Sequence, residues 1–417
     1  MDGQGQDGGA TVARHALGWL VVANALGVWL AALLLWPRLG GLAGEATYGR
    51  ILPAHLNGQL YGWTSLPLIG WLFSIYGVSR GRASRWAAPA VRAWSAALAL
   101  GVASWLAGGS SGKLFLDWQG GALAAFLVAQ VALWLVLAAG FGRGLAGRSG
   151  WFRFFAIVGL LALAAVPAGM AAASSPATYP PFDRTTGGPT GASLLGSTLP
   201  VVLLLLLVPV TFGLPKRPGA GLRRFVAALW AVAAVAFGVL EWAGGTHRMA
   251  SQIAGLGLLL PWLVLLPLDW RRFEWPDGTR FWRNSALVWW AVLVASGWVE
   301  FLPGVLDRMK FTSGLVGHAH LAMGGFTSSL GLLLITLGGG ERAKAAVAKG
   351  GWPWHAAVAA HVLALVACGW LEGGSTSWMD ERPWWRAACF GVRLAAGAAM
   401  AGVALNWWIR SWKEHES

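Results

Sequence analysis

A helix needs about 20 apolar residues to cross the hydrocarbon of a bilayer. This chain offers twelve such stretches, near 15–37, 54–79, 88–108, 121–142, 152–173, 192–214, 222–244, 249–269, 286–304, 313–338, 353–371 and 386–409. Inside lipid every backbone N–H and C=O must be bonded within the protein, so runs of this length are expected to be helices. The expected fold is all-α: a polytopic membrane protein whose twelve spans form one bundle over 15–412. A Gly-rich segment at 1–14 reads as a disordered cytoplasmic N-terminus, and 413–417 as a cytoplasmic tail. Only 12% of the 417 residues are charged, against about a quarter in soluble domains. No gap between runs is long enough for a separate soluble domain. No cleavable signal peptide is expected, because the first run is long and others follow.

Charge sets the orientation. Basic residues follow each even-numbered span: Arg80, Arg82 and Arg85; Arg143, Arg148 and Arg153; Lys216, Arg217, Arg223 and Arg224; Arg271, Arg272, Arg280 and Arg283; Arg342, Lys344 and Lys349; Arg410 and Lys413. The odd-numbered loops are less basic and hold Asp117, Asp183, Glu372, Asp380 and Glu381. The positive-inside rule then places both termini in the cytoplasm, with the chain multi-pass in the inner membrane. The net charge of +14 is distributed over these loops, which argues against a nucleic-acid partner and for membrane lipid. The two cysteines, Cys368 and Cys389, fall within spans and read as small core residues. Of the 29 tryptophans, Trp36, Trp118, Trp384 and Trp385 lie at span ends, and a packing role is expected for the set.

With this topology His55, His247, His318 and His320 all fall in the outer part of the membrane. Polar imidazoles are costly at that depth and usually mark function. The bland alternative is a set of capping or packing histidines. Residues i and i+2 of a helix point about 200° apart, so His318 and His320 face opposite sides and cannot chelate one metal. They can serve two cofactors. A His55–His320 pair would make a six-coordinate, low-spin heme, whereas His318 alone would leave its iron an open position. His361, in the eleventh span, reads as a core histidine bonded to a neighbouring helix. His15, His355 and His415 lie at span ends.

The stretch from Phe311 to Phe326, centred on His318-Ala319-His320, resembles the tenth helix of heme-copper oxidase subunit I. The nearest subgroups are the cbb-type cytochrome oxidases and the nitric oxide reductases. Pro53-Ala54-His55-Leu56-Asn57-Gly58 resembles the start of their second helix, and Gly112-Lys113-Leu114-Phe115-Leu116-Asp117-Trp118 their outer loop before the fourth. Trp242-Ala243-Gly244-Gly245-Thr246-His247 resembles the end of their seventh. The resemblance covers essentially the whole chain in order. It implies that His55 and His320 are axial ligands of a low-spin heme b and that His318 is the proximal ligand of a second heme. Arg248, Arg308 and Lys310 would be partners of heme propionates, unless they are solvated interface charges. Glu300 matches a family glutamate and is expected to be structural.

The departures matter as much. The family holds a copper beside its second heme with three histidines. Here only His247 remains, as a vestigial or weak metal ligand; Ser197 and Thr246 stand at the other two positions, and Leu240 or Glu241 replaces a tyrosine. One imidazole holds copper poorly, so copper is expected to be absent. The expected function is heme-mediated electron transfer in a respiratory complex, fed by a c-type cytochrome or quinol, with other subunits as partners and the hemes toward the periplasm. The alternatives are an oxygen or nitric oxide reductase with an unusual second metal, and a heme-based gas sensor or heme-handling protein. A transporter would not need this histidine pattern.

Overall fold

The computed structural model describes residues 3–42, 46–79, 81–182, 195–216, 221–243, 249–381 and 383–413. About 80% of the chain is helical, and no strand occurs among the described residues. The main helices are α1 (Gly3–Leu35), α2 (Tyr48–Asn57), α3 (Ser65–Ile75), α4 (Ser84–Leu106), α5 (Gly120–Gly144), α6 (Gly150–Ser174), α7 (Leu195–Thr211) and α8 (Gly221–Ala243). They are followed by α9 (Ala250–Gly257), α10 (Trp262–Trp270), α11 (Arg280–Glu300), α12 (Ser313–His320), α13 (Ser328–Gly338), α14 (Gly351–Glu372) and α15 (Trp384–Trp412). Short π-helical segments, π1 (Gly58–Thr64) and π2 (Leu321–Thr327), join α2 to α3 and α12 to α13.

Each of the twelve apolar stretches coincides with helix over most of its described length. Among the described residues, seven helical stretches are long and apolar enough to cross a membrane: Gly8–Leu35, Gly120–Gly144, Gly150–Ser174, Ala250–Trp270, Ser313–Gly338, Gly351–Glu372 and Trp384–Trp412. Leu199–Thr211 of α7 and Arg224–Leu240 of α8 are apolar as well. The chain is thus a multi-pass membrane protein. The remaining stretches carry more polar side chains: Arg85 and Arg92 on α4, Arg280, Arg283 and Glu300 on α11, and Arg50, His55, Asn57 and Gln59 on α2 and π1. Outward-facing Val128, Leu161 and Val232 are largely exposed, as suits helices bordered by lipid.

The N-terminal boundary differs from the expected disorder over 1–14. Helix α1 begins at Gly3, and Val12 and Ala13 are only 3% and 1% exposed. Gly9, with no side chain, sits against the backbone of Gly338, and Val12 lies against Gly70. Residues 8–14 thus pack onto the middle of α3 and the end of α13.

The tryptophans do more than fill space. Indole N–H groups bond carbonyls of other helices or loops: Trp105 to Asp117 (2.7 Å), Trp134 to Leu160 (2.9 Å), Trp230 to Leu199 (3.1 Å) and Trp270 to Leu205 (3.0 Å). An indole buries a large apolar surface while supplying one donor, a useful combination where polar groups have no water.

Candidate functional site

His55 and His320 each lie seven residues into their helices, about 10 Å along the axis. His55 Nδ1 is 2.7 Å from the carbonyl of Ala23 on α1. His320 Nδ1 is 2.8 Å from the carbonyl of Val316, one turn back on its own helix. A carbonyl only accepts, so Nδ1 is the donor in both rings and the lone pair is left on Nε2. Neither Nε2 has a hydrogen bond among the described residues. Metal-bound histidines are usually held this way, one nitrogen anchored and the other presented. The His55 ring packs over Gly27 of α1, where any side chain would collide with it.

Each histidine is followed closely by a π turn, and both turns are completed in the same manner. A π turn disturbs the regular bonding of carbonyls and is common at functional sites. Ser65 Oγ donates to Leu60 O and Ser328 Oγ to Met323 O, both at 2.8 Å and five residues back. The next carbonyl in each turn accepts an indole N–H: Tyr61 O from Trp94 (2.8 Å) and Gly324 O from Trp354 (3.0 Å). Trp63 Nε1 then donates to Ser328 Oγ (2.9 Å), tying π1 to the first residue of α13.

His318 faces the other way, as the helix period requires. Its ring lies against Gly297 of α11, and its Nδ1 is 3.4 Å from Glu300 Oε2. That contact is an ion-pair distance without hydrogen-bond geometry. A carboxylate behind a histidine makes the imidazole a stronger donor to a metal. Glu300 therefore has a place beside a candidate ligand, which its sequence position alone did not reveal.

Three further residues complete the surroundings. His361 of α14 was expected to be a bonded core histidine. Its ring instead lies 4.5 Å from that of His320, and neither of its nitrogens has a hydrogen-bond partner among the described residues. Arg393 of α15 is 8% exposed, lies beside the Tyr48 phenol, and leaves its Nε without a partner. A buried guanidinium at such depth calls for an anion. Glu372, read from sequence as a loop acid, is buried: it accepts from the Ser313 N–H (2.7 Å) at the start of α12 and pairs with Arg386 Nε (3.1 Å). It thus caps the helix that carries His318 and His320.

The other candidates are placed differently. Arg308 donates to Trp370 O (2.9 Å) and stacks on that ring, and Lys310 stands over Phe311. His247 and Arg248 lie outside the described residues. Among the described residues no three His, Cys, Asp or Glu side chains close into a group that could hold a bare metal ion. In the loop between α4 and α5, Lys113 is buried and donates to Ala173 O (2.8 Å) and Ser174 O (2.6 Å), while Asp117 accepts from Ser110, Ser111 and Gln119. Burial lowers the Lys113 pKa, with Asp117 acting in the opposite direction. Comparison with known proteins gives no match to a family model and none to a curated protein.

Proposed function

We propose that this chain is the heme-bearing electron-transfer subunit of a membrane respiratory complex, built as a twelve-span bundle of the heme-copper oxidase subunit I type. The observation that carries the reading is the matched presentation of His55 and His320, each with Nδ1 on a backbone carbonyl and Nε2 unbonded. His55 and His320 would hold a low-spin heme b between them, and His318 would hold a second heme on the opposite side of α12. A six-coordinate heme supplies one-electron transfer, and a five-coordinate one can also bind a gas.

The surrounding residues have definite tasks in this reading. Ala23 and Val316 fix the tautomer and direction of the two imidazoles. Glu372 holds the start of α12, and so the height of both its histidines. The buried guanidinium of Arg393, beside the Tyr48 phenol and with its Nε unpartnered among the described residues, suits a propionate better than Arg308 or Lys310, which are engaged with aromatic rings. Glu300 supports His318. The positive-inside pattern of the loops supports cytoplasmic termini and a cluster toward the periplasm, where a c-type cytochrome or a quinol and partner subunits would reach it. Copper is proposed to be absent, since His247 alone stands where three histidines are needed. A reductase remains the second reading, because the Glu300–His318 contact resembles the support of a reactive, open-sided heme.

Purified protein should contain two hemes b per chain, and His55→Ala should abolish the low-spin reduced band while carbon monoxide binding at the other heme persists. A low-spin band unchanged in His55→Ala would remove the reading. Turnover of oxygen or nitric oxide by the purified chain would favour the reductase.

A further inference from the structure

The matched pair leaves His361 unexplained. It is 5% exposed, yet among the described residues neither ring nitrogen has a hydrogen bond; the backbone of Arg393 approaches it without reaching hydrogen-bond geometry. The other spanning-helix histidines with structural surroundings are anchored: His15 on Ser95 (2.8 Å), and His355 on both Trp289 (3.0 Å) and Ser285 (2.9 Å). An imidazole kept in the interior with two unused nitrogens is a poor packing residue and a good ligand in waiting.

Its position is specific. The ring is 4.5 Å from His320, tilted 35°, and both rings lie within electrostatic range of His55. Helices α12 and α14 approach closely where Gly317 meets Leu365 and Val366, which keeps the two rings side by side on adjoining backbones. We propose that His361 is an alternate axial ligand for the iron assigned to His55 and His320, on the His320 side. This rests on the heme reading above. Removing the His320 imidazole opens a space beside His361, whose side chain can turn into it without breaking a hydrogen bond of its own.

The test uses the full-length protein with total heme, reduced absorption, low-spin electron paramagnetic resonance and carbon monoxide binding as readouts. His361→Ala should keep the wild-type spectrum. His320→Ala should retain at least half of the low-spin heme. His320→Ala combined with His361→Ala should lose it, with a second carbon monoxide-reactive heme or no heme at that site. His320→Ala combined with His361→Met preserves bulk and should convert the spectrum to a histidine–methionine type, which keeps the test readable where the double alanine variant does not fold. A five-coordinate heme in His320→Ala, or a low-spin heme that survives the double alanine substitution unchanged, would overturn the proposal. Wild-type protein without low-spin heme, or with a low-spin band indifferent to His55→Ala, would instead overturn the heme reading and the proposal with it.

Discussion

Alanine at Gly27 separates the anchoring of His55 from the stability of the fold. A Cβ at Gly27 would lie 2.7 Å from His55 Cε1 and 3.1 Å from Nδ1. Carbon atoms rest in contact at about 3.5–4.0 Å, so the overlap approaches an ångström and the ring must turn or retreat. The ring is tied to Ala23 on the same helix, one turn earlier, and movement breaks that 2.7 Å bond. A bond of this kind contributes about 0.5–1.5 kcal/mol net. Alanine returns about 1 kcal/mol through its better helix propensity. Overall stability should therefore change by less than about 1 kcal/mol, given these opposed effects.

Under the proposed heme reading, heme retention should respond more strongly. Loss of the partner that orients a metal-bound histidine typically costs about 10–100-fold in affinity. At 1.36 kcal/mol per tenfold, that is about 1.4–2.7 kcal/mol. Transfer of heme to excess apomyoglobin measures the loss, and thermal unfolding measures the fold. Gly58→Ala is the control on the same interface, because its Cβ would meet Ala23 Cβ at an ordinary 3.5 Å. Wild-type heme retention in Gly27→Ala, or equal losses in the two variants, would refute the anchoring argument.

Glu300→Gln alters the carboxylate behind His318 and should raise the midpoint potential of the second heme proposed there, by about 60 mV for each tenfold loss of ferric preference; an unchanged redox titration contradicts this. Elemental analysis should find iron without stoichiometric copper, and His247→Ala should leave the metal content alone; one tightly held copper per chain, lost in that variant, would restore the ordinary oxidase site. Lys113 has its folded-state pKa below the ordinary 10.5, so the folded loop is penalised while the amine is protonated in both states. That penalty lifts as pH rises through the lowered folded value toward 10.5, and protection of 108–120 in hydrogen exchange, corrected for the intrinsic rate, should increase over that interval but stay flat in Lys113→Met. Falling protection in the wild type would show the sign to be wrong.

The positions of the helices were legible because their lengths and apolar content leave few alternatives in lipid. The opposed facing of His318 and His320 was legible for the same elementary reason, since the helix period separates residues two apart. What sequence could not supply was the identity of neighbours. His361 lies in an apolar run like any core residue, and only the close packing at Gly317 brings it to His320. Glu372 resembles an outer-loop acid until the start of α12 is found above it. Arg308 and Lys310 were near the histidines in sequence, but Trp370 of α14 and the neighbouring Phe311 engage them, while Arg393 arrives from a distant helix.

The π turns were the least legible feature, and their geometry gives them a common purpose. Trp63 lies eight residues after His55, and Ser328 eight after His320. In a regular α-helix, residues i and i+8 differ by about 80° around the axis, so the lower pair would point away from the face that carries the upper pair. A π turn takes up one extra residue, which reduces the effective offset to seven and the angle to about 20°. The two helices can then present histidines ahead of the π turns and still meet through Trp63 and Ser328 further along. Regular winding would force a choice between aiming the imidazoles and joining the helices. The insertion allows both, and the carbonyls it disturbs are bonded by Ser65, Trp94, Ser328 and Trp354. Serines and tryptophans that look like ordinary span residues thus complete the turns beside the candidate ligands.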